Sequence, residues 1–280
     1  MNIRKNNILV IILIIIFPFS AISQVGMKPM LIVIDNVSRT ATVEIINPMK
    51  DIREFNIELL FAYPKYDSLG KSILIYDDSV MAKEYSLSSY LKIYPKKLII
   101  PPGESQVVRL IVKDLPRDDG KTYWTRIIAS SKPMTQQIDT LKKLSDTSAI
   151  TASIVIGTRM NGLVVLNNGN VTSSIDFDEY KRYSDSSSIY LVCKFDKAGT
   201  SPFLGKADVK LYDSNNNIII KREEKVSIYE NCNLEFKFDK KNLSKGKLKV
   251  EITVSNEKEE VPVELRLPFK PITKTFEIVN

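Results

Sequence analysis

Cys193 and Cys232 are the only two thiols in this chain, and it has no histidine. Without an imidazole it cannot assemble Ser–His–Asp or Cys–His nucleophilic catalysis, nor a zinc site that uses histidine. Paired carboxylates are the catalytic chemistry left open, because two suitably spaced Asp or Glu side chains suffice for glycoside hydrolysis. Many acidic residues here sit in polar turns, however. Asp118-Asp119-Gly120 and Asp213-Ser214-Asn215 read as turn formers, whose short side chains bond the nearby backbone. Glycine is scarce, 10 in 280 residues, and no Gly-rich phosphate loop is present. This inventory points away from an enzyme and implies no metal and no cofactor.

The thiols themselves read as strand residues. Cys193 is in step with Ile189, Leu191 and Phe195, and Cys232 with Leu234, Phe236 and Phe238, so both point to the apolar side of a strand. Two facing sheets would bring them together as a disulfide, which an exported location permits. Two buried free cysteines are the alternative, because bridging also demands a short Cα separation.

Export is read from the N-terminus. Arg4 and Lys5 precede a wholly apolar run over residues 8–17. Pro18, Ser20 and the small-residue pattern Ala21-Ile22-Ser23 follow, as at a signal-peptidase site, so residues 1–23 are expected to be a cleaved signal peptide. The apolar run is shorter than the roughly 20 residues of a spanning helix. The 38 basic residues left beyond the leader exceed the 33 acidic ones by five. They are dispersed, and Lys221-Arg222 is followed at once by Glu223-Glu224. Such clusters read as solvated strand faces, and no basic stripe marks a nucleic-acid reader.

The elements that would position these groups are strands. Runs rich in Val, Ile, Thr, Tyr and Phe occupy residues 30–34, 41–46, 57–63, 90–93, 97–100, 106–112 and 122–128, separated by Asn, Asp, Gly, Ser and Pro. Residues 131–149 lack alternation and read as a long exposed loop. In residues 150–157, Ile150, Ala152, Ile154 and Ile156 alternate with Thr151, Ser153, Val155 and Gly157, and a strand continues through residues 163–166. Asn167-Asn168-Gly169-Asn170 marks the best domain boundary. Beyond it, residues 175–177, 188–195, 207–212, 218–221, 234–238, 247–254, 261–267 and 273–278 form a second strand-rich set. The expected fold is all-β, with two immunoglobulin-like β-sandwich domains in tandem over residues 24–166 and 167–280.

Residues 94–110 are the most specific part of the chain. A proline-led apolar strand, Pro95 to Ile100, breaks at Pro101-Pro102-Gly103. Gln106-Val107-Val108-Arg109-Leu110 opens the next strand, and Tyr123-Trp124-Thr125-Arg126-Ile127 is an aromatic third. This series resembles the first domain of the PapD-like periplasmic pilus-assembly chaperones. Ala41 to Pro48, ending in Asn47-Pro48, also resembles the family's second strand.

That resemblance implies a periplasmic, non-catalytic protein. It would bind an exported pilus or surface-protein subunit by donor-strand complementation, lending a strand to an incomplete sandwich. An outer-membrane usher would be a further partner. Ile150, Ala152, Ile154 and Ile156 then become the donor residues. The family also holds the subunit's terminal carboxylate with an arginine on the first strand and a lysine on the last. Leu31 stands at the arginine's place and Arg159 near the lysine's, with Lys28 and Arg126 as substitutes. Charge-assisted bonds are what a half-buried carboxylate requires. The alternative function is a structural or accessory immunoglobulin-like component of a surface appendage or envelope complex.

Overall fold

A computed structural model describes residues 26–134, 157–257 and 260–280. The expected signal peptide and the alternating run from Ile150 to Ile156 lie outside the described residues. The chain is all-β, with two immunoglobulin-like sandwiches in tandem, each around its own apolar core.

The first sandwich is built from β1 (Met27–Lys28), β2 (Leu31–Ile34), β3 (Thr40–Ile46), β4 (Arg53–Leu60), β5 (Tyr63–Tyr66), β6 (Ser72–Ile75), the helix α1 (Ser79–Tyr85), β7 (Leu91–Tyr94), β8 (Lys97–Ile100), β9 (Ser105–Val112), β10 (Lys121–Pro133) and β11 (Thr158–Asn168). One sheet runs β1-β3-β9-β7. The other runs β2-β11-β10-β4-β8, and β5 and β6 form a separate hairpin. Alternation explains the core. In β9, Val108, Leu110 and Val112 are buried; in β8, Leu98 and Ile100; in β2, Ile32 and Ile34. Side chains two apart along a strand share a face, so these sets meet between the sheets. Gly103 has φ +74° in the turn between β8 and β9, the left-handed backbone that the Pro-Pro-Gly sequence calls for.

The second sandwich comprises β12 (Ser174–Asp176), β13 (Tyr180–Ser184), β14 (Ser188–Ala198), β15 (Phe203–Tyr212), β16 (Ile218–Ile228), β17 (Cys232–Asp239), β18 (Lys247–Ser255) and β19 (Ile272–Val279). Strand β14 pairs with β12, β13 and β17, and faces a sheet ordered β16-β15-β18-β19. Phe177 and Phe195 stack in its core at 4.6 Å between ring centroids.

Several boundaries differ from the sequence reading. The strand expected over residues 57–63 lies earlier, as β4, because Phe55 and Ile57 carry the inward alternation. The loop expected from residue 131 does not begin there. Residues 131–133 extend β10 and pair with Phe55, Glu54 and Arg53 of β4. The strand expected over residues 261–267 is not formed; a short 3-10 turn (Val263–Leu265) stands there after Pro262. Proline lacks the amide proton a ladder needs.

The cysteines do not face each other across the sandwich. They lie on adjacent strands of one sheet, Cys193 opposite Leu234 and Cys232 opposite Phe195, and both are free thiols. Two residues out of register makes them a diagonal pair, with Cα atoms roughly 7–8 Å apart. That is at or beyond the separation a disulfide tolerates, about 7 Å.

Candidate interdomain binding cleft

Strand β10 presents two faces. Tyr123, Ile127 and Ala129 enter the core of the first sandwich, while Trp124 joins a separate apolar cluster with residues of the second domain. Arg126 follows Trp124 on that outward face by strand alternation. Pairing fixes its neighbours. Leu31 of β2 is opposite Leu163 of β11, Leu163 is opposite Arg126, and Arg126 is opposite Leu60 of β4. The next row toward the second domain is Val33, Val165 and Trp124.

The second domain closes over this face with Tyr229 and Val261, both buried in the same cluster, and with Leu204 and Leu265 at its margin. A small cavity of about 50 Å³ remains at the Leu31 end, lined by Leu31, Val33, Val165, Leu204, Leu265 and Phe269. This lining accounts for Leu31. The lining is mostly apolar and already includes Arg266, so an arginine at position 31 would add a second positive charge where desolvated charge is costly.

Arg126 is half-buried on the same row, two strands from Leu31. Its Nε is buried and has no hydrogen-bond partner among the described residues, and the same holds for Trp124 Nε1, Tyr229 Oη and Asn161 Oδ1. Desolvation raises the Tyr229 phenol well above its ordinary range, and the nearby positive charge of Arg126 opposes that shift. Three of these four orphaned atoms are donors, and buried donors normally have partners. The arrangement can accept an anionic or carbonyl oxygen.

The other sequence-derived candidates divide. Arg159 is exposed on β11 opposite Ser130. Alternation puts it on the face of Arg126, four positions along the ladder, roughly 13 Å away. Lys28 does not join them. It pairs with Glu44 on the four-stranded sheet and points outward, since its neighbour Met27 is the buried one. Trp124 and Tyr229 are the residues that sequence reading missed. The Trp124-x-Arg126 spacing signals one shared face, but nothing local marks Tyr229 as their cover.

The turn-forming acidic residues act as expected. Asp119 Oδ1 accepts from Lys121 N at 3.1 Å and from Asn168 Nδ2 at 2.8 Å. Asn168 also accepts from the buried Arg39 Nη2 at 2.6 Å. Asp213 Oδ1 accepts from the amides of Asn215 and Asn217 at 2.9 and 2.8 Å. Among the described residues no group of three or more His, Cys, Asp or Glu could hold a metal ion.

Fold and cleft thus define a two-sandwich, immunoglobulin-like protein with unpartnered donors buried where its domains meet. Among solved structures, the chain is similar to the CupB2 chaperone of Pseudomonas aeruginosa, at 9% identity and TM-score 0.45 over 90% of this chain and 98% of that one. It is similar to a chain of the CsuC–CsuE chaperone–tip adhesion subunit pre-assembly complex of Acinetobacter baumannii, at 13% identity and TM-score 0.44 over 90% and 96%. A chain of the chaperone–tip adhesin complex of CFA/I fimbriae is similar at 14% identity and TM-score 0.40, over 89% and 96%. No protein-family model and no curated protein matches the chain.

Proposed function

We propose that the protein is a non-catalytic periplasmic chaperone that binds an exported pilus or surface-protein subunit by lending it a strand. The observation that carries this reading is the edge of β11. Strand β2 pairs with it only from Leu163 to Leu166, and among the described residues no strand pairs with the same edge over residues 158–162. An unpaired edge offers backbone donors and acceptors to an incoming strand. The alternating Ile150, Ala152, Ile154 and Ile156 run directly into this edge in sequence, and would supply the side chains that fill the client's groove. Arg126, with Arg159 further along the same face, would take the client's terminal carboxylate; Lys28 points the wrong way for that role. An usher is the further partner such an assembly path requires.

The test is copurification of a client subunit from the periplasm with the full-length protein. Ile154→Asp is expected to abolish the complex and leave the melting temperature unchanged. If Ile154→Asp unfolds the chain, residues 150–156 are ordinary core. If the protein fractionates with the cell surface and no client copurifies, it is a structural component.

A further inference from the structure

Residues 61–86 do more than connect β4 to β7. The hairpin β5–β6 leaves the first sandwich and fastens to the second. Tyr66 Oη donates to Ser227 O at 3.0 Å, Asn233 Nδ2 donates to Ser68 O at 3.1 Å, and Glu235 N donates to Gly70 O at 3.4 Å. Lys65 Nζ lies 3.4 Å from Glu230. Its tip is shaped for this by Asp67, whose Oδ1 accepts from Leu69 N and Lys71 N, both at 2.9 Å. Gly70 closes the turn at φ +84°, and a Cβ there would stand 2.5 Å from Glu235 N. The tip therefore covers the edge of β17 at a distance only glycine allows.

Hairpin and helix are tied together. Tyr63 Oη donates to Asp78 Oδ2 at 2.8 Å, and Asp78 Oδ1 caps α1 by accepting from Met81 N at 3.0 Å. At the far end of α1, Tyr85 stacks on Trp124 with ring centroids 5.0 Å apart, and Leu87 N donates to Trp124 O at 2.9 Å. Phe61 covers Trp124 from another side at 5.6 Å, and Tyr229 closes on it at 4.9 Å. Trp124 is left only 2% exposed and Tyr229 8%.

We propose that residues 61–86 are an interdomain clasp that closes over Trp124, Arg126 and Tyr229 and must release the second domain before a carboxylate can reach them. This rests on the reading that the cleft takes a client's carboxylate. The clasp is attached to the second domain by four polar contacts, two of them around the exposed hairpin tip, whereas its base follows directly on β4. Release therefore costs little at the tip and separates Tyr63 from Tyr229, which pack at 5.7 Å.

Trp124 is the single tryptophan of the chain, so acrylamide quenching of the full-length protein reads the clasp directly. Two variants open it from opposite sides. Gly70→Ala inserts a Cβ against Glu235 N, and Glu230→Lys sets a like charge against Lys65. Each is expected to raise the quenching constant roughly threefold or more, since opening exposes a buried ring. The Glu230→Lys effect should disappear near 1 M salt, where the screening length is about 3 Å. Unchanged quenching in Glu230→Lys at low salt overturns the clasp even if Gly70→Ala fails to fold.

Sodium acetate, against chloride at equal ionic strength, tests the site beneath. The opened variants should respond in Trp124 emission at roughly tenfold lower acetate than the unmodified chain, as expected when a minor open state becomes populated. Equal response in both overturns the gating. Raised quenching with no acetate response in any form keeps the clasp and overturns the carboxylate reading instead.

Discussion

Trp124 and Tyr229 meet edge to face across the domain boundary, with ring centroids 4.9 Å apart and an interplanar angle of 62°. One ring comes from the outward face of β10, the central strand of the five-stranded sheet, and the other from the turn after β16. Aromatic pairs in this geometry contribute beyond the area they bury. Tyr229→Ala should therefore cost about 3 kcal/mol or more by cavity formation. Tyr229→Phe keeps the packing and removes a buried hydroxyl that has no partner among the described residues. It should be neutral or stabilise by about 1 kcal/mol. Urea unfolding of the two variants checks both signs.

The Tyr63–Asp78 bond gives the clasp a pH window. Desolvation first, and then the Asp78 carboxylate, push the Tyr63 phenol up to about 12. The Met81 amide first, and then Tyr63 itself, hold Asp78 below its ordinary 3.8. A lowered carboxylate stabilises the fold above its unfolded value and loses that contribution as pH falls through the folded value. A raised phenol stabilises below its unfolded value and loses its contribution as pH rises through the folded one. Trp124 quenching should thus be flat from about pH 4 to about pH 10 and rise on either side. In Tyr63→Phe both rises should be reduced; part of the alkaline rise remains, because burial also pushes Tyr66, which holds Ser227 across the domains, up to about 12.

Arg39 and Asn168 form a buried polar centre at the end of the first sandwich. Arg39 Nη1 donates to Leu115 O at 2.7 Å, and Asn168 Nδ2 donates to Pro116 O at 2.8 Å. Burial lowers the arginine's pKa, so the carbonyls and the amide oxygen carry its charge. Asn168→Ala removes the shortest of the partners of a buried charged group and should destabilise by about 2–3 kcal/mol. Asn168→Asp should recover much of this. Denaturant melts of the pair give the comparison.

If Arg126 meets a client carboxylate, Arg126→Ala should weaken the complex by roughly 30-fold or more, the loss of a half-buried charge partner. Arg159→Ala should weaken it less, being more exposed. Lys28→Ala should leave affinity unchanged, because Lys28 faces away. Titration of purified client against the three variants orders them, and an equal loss in all three would contradict the geometry.

Burial pushes both thiols up to about 12, where a thiolate is scarce at neutral pH. Alkylation of the folded protein at pH 8 should label Cys232 slowly and Cys193 more slowly still. After denaturation without reductant both should label at once. A thiol count of zero at that step would mean the strands had moved to bridge them.

Most strands were legible because strand periodicity is local. Val108, Leu110 and Val112 alternate within five residues, and Pro101-Pro102-Gly103 must turn whatever surrounds it. Boundaries failed where a partner decides them. Residues 131–133 carry no apolar alternation, yet β4 provides bonds that hold them in the ladder. At residues 261–267 the apolar composition suggested a strand, but Pro262 and docking against the first domain made a short turn instead. The hairpin, α1 and β13 had no strong pattern, since much of each is exposed or packs only against the other domain.

By itself the sequence determined an exported-looking, all-β chain of two sandwiches without the side chains for histidine chemistry, because composition and a two-residue period need no partner to be read. Only the tertiary structure decided which basic residue lies between the domains beside Trp124 and Tyr229. The row Leu31, Leu163, Arg126, Leu60 joins positions more than a hundred residues apart through strand register. Domain docking then sets Tyr229 over Trp124. Neither register nor docking is written in any local stretch, and together they bury the donors of Trp124, Arg126 and Tyr229 beneath residues 61–86.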